Sequence, residues 1–344
     1  MNTTRTPIRN TRPVFVVGCH RSGTNLLYDT LLSSGGFAIY RGYLPIYKML
    51  VPKFGRLTSP ENRRNIVDVW LRSKGYRRSG LDSVSLRQKL LSEARTAGDF
   101  MRIVMEQICA AQNVARWALY DADNVLHMCR IKRDIPEAIF IHIIRDGRDI
   151  ALSLHKMGEH TPFFWNRKPG TLRETALYWQ WMVRKGRAQG LKFPEDYIEV
   201  KYEALVTEPA KTMKQLGEFI DHDLDCDRIQ AASLGTLHSR NSSFRNENTG
   251  SQPVNRWKKA LSKEQVAELE TLIGDFLEEL GYPLSTLRSS SMGSLVRYWT
   301  SPLYTGFLEA KMWAKLNTPL GRFTSIAPLE LDQTASAAPG RRIA

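Results

Sequence analysis

Residues 14–32 place the tightest constraint on how this chain can fold. Val14–Val17 is an unbroken run of β-branched and aromatic residues, which reads as a strand buried on both faces, the pattern of a parallel sheet. GCHRSGTN (18–25) follows at once, and then Leu27, Leu31 and Leu32 recur on one helical face. A strand, a glycine-bearing loop and a helix in that order turn backbone N–H groups toward a helix N-terminus, where anions are favoured.

The same punctuation recurs. Ile139–Ile144 (IFIHII) is the clearest strand, and RDGRDIALS (145–153) follows it with Asp146 or Gly147 placed to open a helix. Trp117–Tyr120 reads as a short strand ending in DAD (121–123), and Tyr197–Val200 as another. Helical spacing covers 99–112, 173–189 and the stretch from Pro209 through Ile220. Ser262 and Gln265 form a capping box ahead of Val266, Leu269, Ile273, Phe276 and Leu280 on one face, with Gly281 as the stop. Strands alternating with helices predict an α/β class, a P-loop-like three-layer fold around a central, mainly parallel sheet. The expected organisation is a disordered lead over 1–12, a domain over 13–286 and an amphipathic, basic C-terminal tail over 287–344. In that tail Leu295, Trp299, Leu303, Phe307, Leu308, Met312, Trp313 and Leu316 alternate with Arg297, Lys311, Lys315 and Arg322, and Pro302 is expected to break the helix in two.

Charge narrows the partners. The formal net charge is +14 over 344 residues, which suits a phosphorylated cofactor, a nucleic acid or an acidic membrane surface. Residues 53–95 alone carry 11 Lys or Arg against 4 Asp or Glu, and read as a solvated face. No nucleic-acid-binding motif is visible, so no nucleic-acid partner is expected. Cys19, Cys109, Cys129 and Cys226 are scattered, without a C-x-x-C or Cys/His cluster, and read as free thiols in a reducing compartment. The polar, basic N-terminus has no apolar h-region, and no stretch reaches the ~18 apolar residues of a membrane span. A cytoplasmic protein is expected, with peripheral membrane contact through the C-terminal tail.

The loop at 18–25 departs from a Walker loop. That form needs Lys and then Ser or Thr after the second glycine, whereas Gly23 is followed by Thr24 and Asn25, leaving Arg21 as the strong cation inside the loop. The neighbouring strand delivers Arg145, with Asp146 after it. Such a site is built from cations and backbone donors, and no metal is expected. A plain glycine turn that binds nothing would also fit the pattern.

On these residues the sequence resembles the sulfotransferases that use 3′-phosphoadenosine 5′-phosphosulfate (PAPS), in particular the bacterial branch related to the tyrosylprotein sulfotransferases. VFVVGCHRSGTNLL (14–27) is similar to the family's first motif and IFIHIIRDGRDIALS (139–153) to its second. YIEVKYEALVTEP (197–209) and NRWKKALS (255–262) through GYPL (281–284) follow softer patterns. The resemblance implies that Arg21, Ser22, Gly23, Thr24 and Asn25 hold the 5′-phosphosulfate, with Arg21 against the transferring group. It implies that Arg145 and Ser153 grip the 3′-phosphate, and that Arg256, Trp257 and Lys258 close over the nucleotide. The cofactor is then PAPS, the product adenosine 3′,5′-bisphosphate, and the reaction sulfuryl transfer to a hydroxyl or amine of a small-molecule, lipid or carbohydrate acceptor. Acceptor contacts are expected from 37–100 and 155–172. A P-loop kinase-like phosphotransferase and a non-catalytic binder of an anionic ligand or membrane surface are the competing readings.

The base is the hardest role to place. In the tyrosylprotein branch a Glu soon after the first helix serves, but FAIYRGYLP (37–45) has no carboxylate. In the cytosolic branch a His upstream of the second motif serves, and by that count Asp123 stands near its position, with Asp121 two residues away. Two residues apart on an extended segment share a face, and a close carboxylate pair raises one pKa. Either Asp also suits a helix cap. Tyr202, Glu203 and Leu205 read as structural. Trp179 and Trp181 read as core, with a nucleobase shelf as the alternative for one of them.

Overall fold

The computed structural model describes residues 9–158, 169–238, 254–286 and 292–332, with side chains from 302 onward in the last segment. Residues 1–8 of the lead, 159–168 of an expected acceptor segment, 289–291 of the SSSMGS stretch, the side chains of Leu295, Arg297 and Trp299, and the tail from 333 lie outside the described residues.

The apolar runs form strands β1 (Val14–Gly18), β3 (Arg116–Tyr120), β4 (Ile139–Ile144) and β5 (Tyr197–Lys201), joined by a short β2 (Phe37–Ala38). A two-residue strand carries no periodicity, so β2 has no counterpart among the expected elements. Every pairing is parallel and the strand order is β2-β3-β1-β4-β5. Every residue of β1 and β4 is buried, which is why both read as unbroken apolar runs. Their register runs from Val14 opposite Ile139 to Gly18 opposite Ile143. The loops leaving β1 and β4 therefore start side by side at the carboxyl ends of the strands, where the chain departs to either side of β1.

The longer helices are α1 (Thr24–Ser33), α2 (Pro60–Leu71), α3 (Ser83–Glu93), α4 (Ala97–Gln112), α5 (Gly147–Met157), α6 (Leu172–Gly190), α7 (Pro209–Ile220), α8 (Lys263–Glu279) and α9 (Met292–Asn317). The chain divides into two compact units, one of residues 1–35, 118–129 and 138–312, the other of 36–117, 130–137 and 313–344.

In the first unit, Asp146 caps α5 by accepting from the Arg148 N–H at 2.9 Å. A Cβ on Gly147 would meet the Trp179 ring at 2.4 Å, so glycine lets α5 and α6 close together. The Ser262/Gln265 box forms as expected, at 3.2 and 3.0 Å. Trp179 and Trp181 are both buried, Trp179 against Phe276 and Trp181 donating to Glu309 at 2.7 Å, so both serve packing. The helix expected to break at Pro302 instead runs through it. A proline removes a single N–H from a helix, and the next turns are held by Glu309, which accepts from Trp181 and, at 2.6 Å, from Lys185.

In the second unit Trp70 is fully buried, edge-on to Phe100 at 5.4 Å, and donates to the Tyr43 carbonyl at 3.3 Å. The basic stretch 53–95 is not wholly a solvated face. Arg63 turns inward and donates to the carbonyls of Leu57 and Ala94 at 3.3 and 3.2 Å. Among the described residues no helix is long and apolar enough to cross a membrane.

His142, central in β4, carries a pH dependence. It is fully buried, with Nδ1 2.7 Å from the Tyr197 hydroxyl, and burial, reinforced by Arg187, drives its pKa down to about 3. The unfolded imidazole protonates near its ordinary value, about 6.5. Between these limits the unfolded chain binds the extra proton, so this residue's contribution to stability is intact above about pH 6.5 and falls as pH drops toward 3. Urea melts at pH 4.5 and 7 should show this loss in the wild type and a smaller one in His142→Gln. An equal loss in both would remove His142 as its source.

Candidate active site

The turn out of β1 depends on glycine at two points. A Cβ on Gly18 would sit 2.5 Å from the Ile143 carbonyl oxygen. At Gly23 the backbone takes φ 98°, and a Cβ would meet the Tyr202 ring at 2.5 Å. Between them Ser22 N–H donates to Cys19 O at 3.1 Å, and Arg21 is held at φ 71°. No side chain caps α1, so its first N–H groups keep their capacity for an anion. The Ser22 hydroxyl is fully buried and has no hydrogen-bond partner among the described residues. Thr24 is buried at the helix start, and Asn25 is exposed.

The second motif meets the first. Arg21 Nε donates to Ser153 Oγ at 3.1 Å, and Arg145 Nη1 donates to the Arg21 carbonyl at 3.4 Å. Two guanidinium groups and a hydroxyl thus converge beside the start of α1. Arg145 is nearly buried and aligned from several directions. Its guanidinium lies 4.3 Å from the Tyr202 ring centre, Nη2 pairs with Asp149 at 3.2 Å, and Trp179 Nε1 donates to its carbonyl at 3.1 Å. Asp149 has a second arm: it also accepts from the Trp257 N–H at 2.9 Å. That bond brings the late basic loop to Arg145.

Trp257 is buried over Arg148, 3.9 Å from its ring centre. Burial works against the Arg148 charge, but Asp146 and Glu270 outweigh it and hold the guanidinium above its ordinary range. Arg256 and Lys258 are exposed, with Lys258 Nζ 5.5 Å from the Trp257 ring. A cavity of about 350 Å³ opens here, lined by Trp257, Lys258, Asp146, Glu203 and Tyr282. Glu203 accepts from the Asp146 N–H at 3.0 Å and from the Tyr282 hydroxyl at 2.9 Å, and its burial raises its carboxyl above the ordinary value.

The two carboxylates after β3 take different partners. Asp121 is extended and caps the short turn Ala122–Leu126, accepting from the Asp123 N–H at 3.0 Å. Asp123 already lies inside that turn, so the period-two geometry of a strand ends before it. The carboxylate of Asp123 points instead to the phosphate-type loop, 3.0 Å from His20 Nε2. The Asp123 side chain is mostly buried, whereas that of His20 is 39% exposed. Burial and the Asp123 charge raise the Cys19 thiol, which rules against a thiolate there. Burial and the same Asp123 raise the Tyr178 hydroxyl well above its ordinary value. The His20–Asp123 pair, the Asp149 link and the Tyr202 ring had no local signal, since each joins residues more than 50 positions apart or acts through packing. Among the described residues no three His, Cys, Asp or Glu side chains are grouped to hold a metal.

The sulfotransferase domain from the curacin biosynthetic pathway superposes with TM-score 0.49 at 15% identity, over 79% of this chain and 98% of that one. The sulfotransferase STF9 from Mycobacterium avium gives 0.44 at 16%, over 80% and 78%. Mouse sulfotransferase SULT7A1, complexed with PAP, gives 0.40 at 14%, over 84% and 89%. No curated protein matches. Residues 13–226, which include both loops and the His20–Asp123 pair, match the sulfotransferase family along their length. With more than half of its residues in that match and a parallel sheet carrying the two loops, the chain belongs to the sulfotransferase family.

Proposed function

We propose that the protein transfers a sulfuryl group from PAPS to a hydroxyl or amine of a small-molecule acceptor, a lipid or carbohydrate among the candidates. The observation that carries this reading is the convergence of Arg21, Arg145 and Ser153 beside the uncapped start of α1, with the buried Ser22 hydroxyl in need of an acceptor. Such a donor set fits a ligand with two separate anionic groups. PAPS, when bound, supplies a sulfuryl group on a phosphate leaving group. Arg21, Ser22, Thr24 and the N–H groups around Gly23 would hold the 5′ end, with Asn25 at the rim. Arg145 and Ser153 would hold the 3′-phosphate, and Arg256, Trp257 and Lys258 would close the nucleotide end. Arg21 and the α1 N-terminus would stabilise the charge left on the departing phosphate, a preorganised electrostatic role.

For the acceptor proton, the reading shifts from a carboxylate pair to a relay. A carboxylate accepts only, so His20 Nε2–H donates to Asp123, which fixes that tautomer and leaves Nδ1 as the nitrogen that would receive the acceptor's proton. Asp123 then orients the ring and balances the imidazolium. Asp121 supports this by fixing the turn that carries Asp123. The four cysteines are free thiols, which supports a reducing compartment as the setting of this reaction.

Calorimetric titration without Mg²⁺ tests the ligand. Adenosine 3′,5′-bisphosphate should bind at least about tenfold more tightly than AMP or ATP, because one charge-assisted contact set contributes about 1.5–3 kcal/mol. Equal affinity for AMP would refute a 3′-phosphate site, and tighter, Mg²⁺-dependent ATP binding would favour a phosphotransferase.

A further inference from the structure

The second unit holds a cavity of its own. It encloses about 770 Å³, within the range of ligand clefts. Lys53, Arg56, Arg95, Arg130 and Arg133 line it from one side, and Lys315 and Arg322 from the tail. Asp134 is the single acid in this lining, and its two oxygens are already engaged, one by Arg133 Nε at 2.9 Å and the other by the Tyr47 hydroxyl at 2.7 Å. Six further cations thus line the cavity beyond the Arg133–Asp134 pair. Burial, with Arg133 and Arg56 nearby, presses the Arg130 guanidinium below its ordinary range, so the cavity wall carries like-charge repulsion that an anion would relieve.

The rim has a second chemistry. The tail segment Pro319–Phe323 that walls the cavity is fastened to the unit by Lys53, whose Nζ donates to the carbonyls of Arg322 and Thr324, both at 3.2 Å. From this anchored segment Phe323 projects at 85% exposure and Leu320 at 59%, with Trp313 at 62% one helical segment earlier. Large apolar side chains held out beside a cationic cavity match an interface with anionic headgroups above and acyl chains below. A soluble anion would use the cations and leave Phe323, Leu320 and Trp313 in water.

We propose that this face docks on an anionic phospholipid membrane, with a lipid phosphate in the cationic cavity and Phe323, Leu320 and Trp313 inserted among the acyl chains. The site is independent of the PAPS reading, because docking is measured with no nucleotide present. The full chain should co-sediment with vesicles of phosphatidylcholine containing phosphatidylglycerol, and not with phosphatidylcholine alone, with binding that weakens as salt rises. Arg56→Glu and Arg322→Glu, both at exposed positions, should each lower the vesicle partition coefficient by about tenfold. Phe323→Ser should lower it at low salt and in high salt alike, which a purely electrostatic attachment would not show. Unchanged melting and unchanged adenosine 3′,5′-bisphosphate affinity in these variants would show that the folded nucleotide site is intact. Equal binding to neutral vesicles, or wild-type binding by all three variants, overturns the proposal. So does tight binding of soluble glycerol 3-phosphate without any vesicle binding, which would assign the cavity to a free anion.

Discussion

Arg21→Ala is expected to lower the rate of sulfuryl transfer by about 10²–10³-fold, the range for removing one preorganised donor from a developing negative charge. The substitution leaves the backbone problem as it was, since alanine and arginine tolerate φ 71° equally poorly. The melting temperature should therefore stay close to wild type while activity falls. Arg21→Gly separates the two roles of the position: it should lose the same activity and gain stability, because glycine accepts that backbone conformation. Arg21→Lys keeps the charge but lacks the Nε–H that donates to Ser153 at 3.1 Å, so it should recover only part of the rate. Single-turnover transfer rates measured with saturating donor test the series. Wild-type rates in Arg21→Ala would take this residue out of the mechanism.

His20→Ala should cost about 10²–10⁴-fold in transfer, the contribution of a general base, and leave adenosine 3′,5′-bisphosphate binding close to wild type. Asp123→Asn should cost at least about a hundredfold by the same route, since an amide can stabilise the wrong tautomer of the ring 3.0 Å away. If the two act as a unit, the double variant is no slower than His20→Ala alone. Independent, additive losses would separate them. Losses matched by equally weakened nucleotide binding would assign the pair to shaping the phosphate-type loop.

Strands β1 and β4 were legible because they are buried on both faces and therefore written as unbroken apolar runs. The capping box at Ser262 and the cap at Asp146 were legible because a cap is a local bond between neighbours in sequence. Arg21, Arg145 and Ser153 were legible only as a resemblance; that they converge is a product of the parallel register between β1 and β4. Proximity across the sheet has no periodicity, so the sequence offers Asp121 as the neighbour of Asp123 and gives no sign of His20 beside it. Asp121 caps the turn at Ala122–Leu126, and only the folded chain shows that the Asp123 carboxylate reaches back over 103 positions to the loop after β1. Pro302 illustrates the opposite error, a strong local rule overridden by packing in the next two turns.

Tyr202 has a consequence for how this site can change. One face of its ring limits how near the backbone at Gly23 can approach, and the ring also seats the Arg145 guanidinium at 4.3 Å. The start of α1 and the Arg145 side chain therefore share one neighbour, in addition to the strand register that sets them side by side. A smaller residue there would withdraw support from both at once, so Tyr202, which the sequence presents as ordinary core, couples the packing of the two loops.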